Sequence, residues 1–129
     1  MMPLKSSMFV GRKAELNALS QWIANADRKP ILIHGMGGMG KTSLVMQFVN
    51  NRYTDDRVSW LSFYSEPDVQ TALDNLFQRI KEELPQVIVL DDIDHAALDL
   101  VASFVSRVQR TFPSVPVVLI GRYSVGVIV

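Results

Sequence analysis

The sequence contains no cysteine, which excludes disulfide frameworks and thiolate metal sites. It has no surplus of charge of either sign, because 13 Lys and Arg residues balance 13 Asp and Glu residues. That balance gives no electrostatic case for nucleic acid or an anionic membrane as a partner. No run approaches the roughly 18 consecutive apolar residues of a membrane span. The opening MMPLKSSMFVG also lacks the apolar core of a signal peptide, so a cytoplasmic protein is the simplest expectation. Internal repeats and low-complexity segments are missing. Glycine is sparse at 7 residues, yet Gly35, Gly37, Gly38 and Gly40 crowd into one short stretch.

What is present suits a folded chain. Hydrophobic residues make up 48% and charged residues 20% of 129 positions, the balance of a globular protein rather than a disordered one. One domain is expected over residues 1–129, with residues 1–8 a loose leader. A chain of this length can bury roughly two thirds of its unfolded surface.

The glycine cluster belongs to residues 31–43, ILIHGMGGMGKTS. A short apolar run reads as a buried strand, and Leu44, Val45, Phe48 and Val49 continue the far side as a helix. Between them Gly35, Gly40, Lys41 and Thr42 fill the pattern G-x-x-x-x-G-K-[ST]. The four fixed positions match by chance in roughly one chain of this size in a few hundred. A polyphosphate needs many N–H donors aimed inward, and the backbone supplies them only where side chains stay out of the way. The amides from Gly35 through Met36, Gly37, Gly38, Met39 and Gly40 to Ser43 would form that cradle, assisted by the positive end of the helix. Lys41 would reach the β- and γ-phosphates, and the Thr42 hydroxyl would hold Mg²⁺. The Met36 and Met39 side chains are expected to pack against neighbours.

Strands and helices alternate through the rest. A helix is predicted over residues 12–27, with Leu16, Leu19, Ile23 and Ala26 on one face, and a strand over residues 57–63. SEPD at residues 65–68 reads as a helix start with Ser65 as cap. Val69, Leu73, Leu76, Ile80 and Leu84 line that helix, which Pro85 ends. Residues 86–90 form an apolar strand. Asp94 can cap a helix reaching about Phe112, with Leu98, Val101, Val105 and Val108 inward. Residues 117–120 make a fourth apolar strand, and residues 123–129 either add an edge strand or fray. This alternation predicts an α/β fold, a mostly parallel sheet of four to five strands with helices on both faces and right-handed crossovers. Ligands of such sheets sit beyond the carboxyl ends of the strands.

Those ends carry the remaining polar candidates. Four apolar residues precede Asp91-Asp92, the pattern of the magnesium side of a phosphate loop. Asp91 would hold Mg²⁺ through a bound water, and Asp92 would orient or deprotonate the attacking water. Alone, two Asp residues at a strand end more often mark a turn. Arg122 leaves the fourth strand at the same edge, placed either to sense the γ-phosphate or to sit solvated. His34, and His95 at a helix start, are read as structural, having no partners at metal-ligand spacing. Trp22 and Trp60 are read as core or partial-core aromatics. Lys81, Glu82 and Glu83 are read as a solvated helix end.

In order along residues 9–122, FVGR with Glu15 three positions after Arg12, then GMGGMGKTS, SWLSF, VIVLDD and VVLIGR resemble the nucleotide-binding core of the STAND ATPases. The closest subgroup is NB-ARC, that of the plant disease-resistance proteins, the apoptosome scaffold and many bacterial signalling ATPases. The resemblance implies a three-layer P-loop NTPase of the additional-strand class, with the strand at residues 117–120 between those at residues 31–33 and 87–90. It implies that Phe9, Val10 and Arg12 hold adenine and ribose, and that Arg122 is the sensor arginine. Members of the family continue into a small helical subdomain, a winged-helix domain and superstructure-forming repeats, none of which is recognised here. The usual hydroxyl residues before the sensor arginine are replaced by Ile120-Gly121, and the fifth strand is missing unless residues 125–129 stand in.

The expectation is therefore Mg²⁺-dependent ATP or ADP binding by the core of a signalling switch, either a fragment, a truncated paralogue or a deliberately minimal protein. Hydrolysis is expected to be slow, with Lys41, Asp92 and Arg122 carrying it. Its partners would be the missing domains or further copies of itself, not nucleic acid or membrane. Two competing expectations are a self-sufficient small P-loop kinase or NTPase and a nucleotide-free assembly module. The first would need a basic lid, and Arg107 and Arg110 lie on a helix instead.

Overall fold

In a computed structural model of the chain, residues 13–24, 30–34 and 39–121 are described. The elements are α1 (Lys13–Ala24), β1 (Ile31–His34), α2 (Met39–Arg52), β2 (Val58–Ser62), α3 (Val69–Glu83), β3 (Val87–Asp91), α4 (Leu98–Thr111) and β4 (Val117–Gly121). All strand pairs are parallel, in the order β1-β4-β3-β2. The strand at residues 117–121 thus lies between the phosphate-loop strand and the acidic strand, the additional-strand order expected of a P-loop NTPase.

Strand residues divide between two cores by parity, as a sheet covered on both faces requires. Ile88, Leu90, Val117 and Leu119 turn towards α3 and α4, where Leu73, Leu76, Phe77, Ile80, Val101, Phe104, Val105 and Val108 are buried. Val87, Val89, Val118 and Ile120 turn to the other face, against Leu19 of α1 and Leu44, Val45, Phe48 and Val49 of α2. β2 follows the same rule, with Val58 and Trp60 on the α1–α2 side and Leu61 and Phe63 opposite. Each such side chain taken out of water contributes about 1.5–3 kcal/mol. The apolar sheet and its two helical layers therefore dominate the energy that fixes the strand ends.

Several boundaries differ from the sequence expectations, each for a local reason. α3 is capped by Asp68 and not Ser65: Asp68 has extended backbone, and its carboxylate accepts from the Thr71 N–H at 3.1 Å and the Thr71 hydroxyl at 2.8 Å. Pro67 sits before that cap, where its missing N–H and its bias against helix in the preceding residue do no harm. Leu84 is 58% exposed and left-handed at φ 49° and ψ 66°, so it closes the helix instead of lining it. Pro85 disfavours helical backbone in the residue before it. Asp94 caps no long helix, since it lies in a 3-10 turn over Ile93–His95 and α4 begins at Leu98 behind Ala97. Trp22 is 50% exposed on α1 and is not a core residue. The termini, residues 1–8 and 123–129, and Ala26 lie outside the described residues.

β4 ends at Gly121, and the residue is there for space. A Cβ on it would stand 2.9 Å from Ile93 Cγ1 and 3.3 Å from Cδ1, while Ile93 is fully buried under the turn after β3. Gly121→Ala is expected to cost about 1–3 kcal/mol of stability in urea unfolding. The penalty should shrink in an Ile93→Ala background, which removes the clashing atoms; equal penalties in both backgrounds would refute the close packing.

Candidate functional site

α2 begins at Met39, five positions after β1 ends at His34, and its first turns carry Gly40, Lys41, Thr42 and Ser43. The first turn has no acidic side chain, so nothing on the helix itself neutralises its positive end. Across the intervening β4, β3 delivers Asp91 to the same place. The Thr42 hydroxyl donates to the Asp91 carboxylate, 3.1 Å from Oδ1 and 3.3 Å from Oδ2. Two residues 49 positions apart are thereby joined, as the paired sequence motifs require.

Asp91 is only 8% exposed. Burial pushes its carboxyl above the usual carboxylate range, the Thr42 hydrogen bond opposes that rise, and the neighbouring Asp92 charge adds to it. The Asp92 N–H and the Lys41 ammonium pull the other way without cancelling the effect. The protein thus leaves this carboxylate short of positive charge. Hydroxyl and carboxylate oxygens are the hard donors that Mg²⁺ takes, so Thr42 and Asp91 fit the ion. Among the described residues no three His, Asp or Glu side chains converge as a metal cage. Mg²⁺ commonly shares one or two protein ligands with waters and phosphates.

Asp92 is left-handed, at φ 60° and ψ 48°, a conformation that Asp tolerates better than most residues. The turn it starts is closed by His95 N–H to Asp92 O at 3.1 Å and Ala96 N–H to Ile93 O at 3.0 Å. His95 Nδ1 lies 2.8 Å from Asp92 Oδ1, and the Tyr64 ring, just past β2, stands 5.7 Å from the imidazole. Reading His95 as a helix-start structural residue therefore missed a partner of Asp92. The signal was the Asp-x-x-His spacing, which one short turn closes.

The remaining candidates divide plainly. Phe9, Val10, Arg12, Gly35, Met36, Gly37, Gly38 and Arg122 lie outside the described residues, as do the side chains of His34 and Met39. Arg107 is no lid residue, because its guanidinium stacks 3.8 Å over the Phe77 ring on the opposite core. No helix among the described residues is long and apolar enough to cross a membrane.

Comparison with known proteins agrees with this fold. A family model described as an ATPase domain, predominantly from Archaea, matches residues 9–66, less than half of the chain but the part that carries the glycine cluster. An uncharacterized WD repeat-containing protein of Nostoc sp. is 28% identical over 81 residues, covering 56% of this chain and 6% of its own length. The chain therefore spans a small fraction of that relative. The fold resembles the Drosophila ORC bound to DNA, with TM-score 0.59 and 17% identity over 85% of this chain and 77% of that one. It also resembles C. elegans PCH-2, with TM-score 0.54 and 17% identity over 95% and 39% of the two chains. The α/β architecture is that of P-loop ATPases, and the family match supports nucleotide binding by an ATPase-like domain.

The raised Asp91 carboxyl has a consequence for stability. A carboxyl whose folded pKa lies above its unfolded value adds stability below the unfolded value and loses it as pH rises through the folded one. The charged form of Asp91 therefore weakens the free protein. Asp91→Asn, which still accepts from Thr42, is expected to raise the thermal midpoint without nucleotide at about pH 7 and to remove the Mg²⁺-dependent part of nucleotide affinity. Melting curves and titrations with and without Mg²⁺ check both halves, and a lower midpoint would contradict the first.

Proposed function

We propose that the chain is the nucleotide-binding core of a signal-transduction ATPase switch of the STAND class, nearest to NB-ARC. It binds ATP or ADP with Mg²⁺ and hydrolyses ATP slowly. The observation that carries this reading is the Thr42–Asp91 contact at 3.1 Å, which brings the lysine-threonine end of the phosphate loop onto the acidic strand end. The ordered motifs FVGR, GKTS, LDD and IGR support the finer class.

Each residue has a task in this reading. Amides of the loop and of α2 through Ser43 grip the phosphates, and Lys41 neutralises their β- and γ-oxygens. Thr42 and Asp91 hold Mg²⁺, which supplies charge neutralisation at the β- and γ-phosphates when bound. Phe9, Val10 and Arg12 hold adenine and ribose, and Arg122 reaches the γ-phosphate. Asp92 orients the water that attacks the γ-phosphorus. The new oxygen–phosphorus bond forms as the bond to the β–γ bridging oxygen breaks, that oxygen leaves with the electron pair, and the water's proton passes to Asp92.

Lys41→Ala is expected to abolish detectable ATP and ADP binding in calorimetry, because charge-assisted bonds worth roughly 1.5–3 kcal/mol each are lost. Affinity equal to that of the unaltered chain would remove the proposed site. Phosphate release is expected below about 1 s⁻¹, under the normal enzyme range, and Asp92→Asn should stop it while sparing binding. Turnover surviving in that variant would show the base assignment to be wrong.

A further inference from the structure

His95 has no task in the mechanism above, although its Nδ1 lies 2.8 Å from Asp92 Oδ1. A carboxylate on a surface turn ordinarily samples several orientations. Here three features restrict it. The backbone of Asp92 is held left-handed, the turn is closed by two main-chain hydrogen bonds, and Ile93 anchors it in the core beneath Gly121. The imidazole is in turn flanked by the Tyr64 ring, tilted 35° to it, at the end of the neighbouring strand. A left-handed non-glycine residue persists only where its surroundings over-determine it.

The geometry points to His95 as a positioning residue for Asp92. Its Nδ1–H donates to Oδ1 and fixes the carboxylate, leaving Oδ2 as the acceptor for the proton of the attacking water. This role rests on the proposed hydrolysis, in which Asp92 takes that proton. His95 itself touches neither nucleotide nor metal. It acts only through the orientation of Asp92, so its loss should change the rate of the chemical step and leave nucleotide affinity alone.

The test uses the whole chain and two substitutions at one position. His95→Ala removes the donor, whereas His95→Asn places an amide N–H where the imidazole Nδ1–H stands. Single-turnover ATP hydrolysis is expected to slow about fivefold in His95→Ala, the scale of a half-exposed charged hydrogen bond, with Mg²⁺-ATP affinity within about twofold. His95→Asn should recover most of the lost rate.

A second readout needs no nucleotide. The chain has two histidines, so nitrogen-15 spectra of the labelled imidazoles are assigned with one substitution. His95 should carry its proton on Nδ1 when neutral, and Asp92→Ala should release it to the mixture of tautomers seen in free imidazole. Hydrolysis unchanged in His95→Ala, no recovery in His95→Asn, or a neutral His95 protonated on Nε2 would each overturn the assignment while leaving the ATPase reading intact. A chain that binds ATP and shows the Nδ1 signature, yet never hydrolyses it, would overturn the hydrolytic reading and the positioning role with it.

Discussion

The hydrogen bond from Thr42 to Asp91 is the constraint on which the other features converge. It joins the first turn of α2 to the last residue of β3, although β4 separates the strands leading to each. The reach depends on the register: Ile31 lies beside Val118, and Val118 beside Val89. All three strands therefore point their carboxyl ends the same way. Apolar residues on both faces hold that register, because slipping a strand by one residue would exchange its two cores. The bulk of the hydrophobic energy thus serves to place one hydroxyl against one carboxylate.

Costly features gather at the same edge of the sheet. Asp91 is buried with too little positive charge around it. Asp92 takes a left-handed backbone, and Gly121 admits Ile93 closer than any side chain would allow. Away from that edge local preference and global fold agree at Asp68, which caps α3, and at the T-shaped contact of Phe77 with Phe104 in the core. Strain and charge burial that gather at one edge of a sheet are the usual mark of a site kept for chemistry rather than for stability. The left-handed Leu84 lies elsewhere and has a simpler origin in the following Pro85.

The strand polarity and the two-sided burial were legible in the sequence, because each is written in a pattern of fixed spacing. Leu44, Val45, Phe48 and Val49 are buried as their helical spacing demands, and the position of β4 between β1 and β3 follows the family resemblance. What escaped was decided by geometry that short-range patterns do not encode. Ser65 and Asp68 are both good caps, and only the backbone around Pro67 selects between them. Asp94 looked like a cap because its turn, bent by the left-handed Asp92, has no signature of its own. Gly121 was read as a missing hydroxyl, whereas its role is to leave room for a side chain 28 positions earlier in sequence. His95 was dismissed for want of metal-ligand spacing, when its partner was a single carboxylate three residues away.

In the proposed reading, charge explains why binding and hydrolysis should part company. ATP brings about four negative charges, and the formal charges of the two aspartates, Asp91 and Asp92, would add to them. Against these stand the Lys41 ammonium, a divalent ion, and roughly half a charge from the α2 terminus. The remainder is a deficit of about two to three positive charges, and the chain as a whole is neutral, so no long-range field makes it up. Hydration can cover that deficit for a bound nucleotide open to solvent. It cannot do so in a transition state that must be sheltered from bulk water. In the proposed mechanism Arg12 and Arg122 are the groups that would narrow the gap, the second leaving β4 one residue after Gly121. The close packing of Gly121 on Ile93 ties the end of β4 to the turn bearing Asp92 and His95, so one piece of core fixes both.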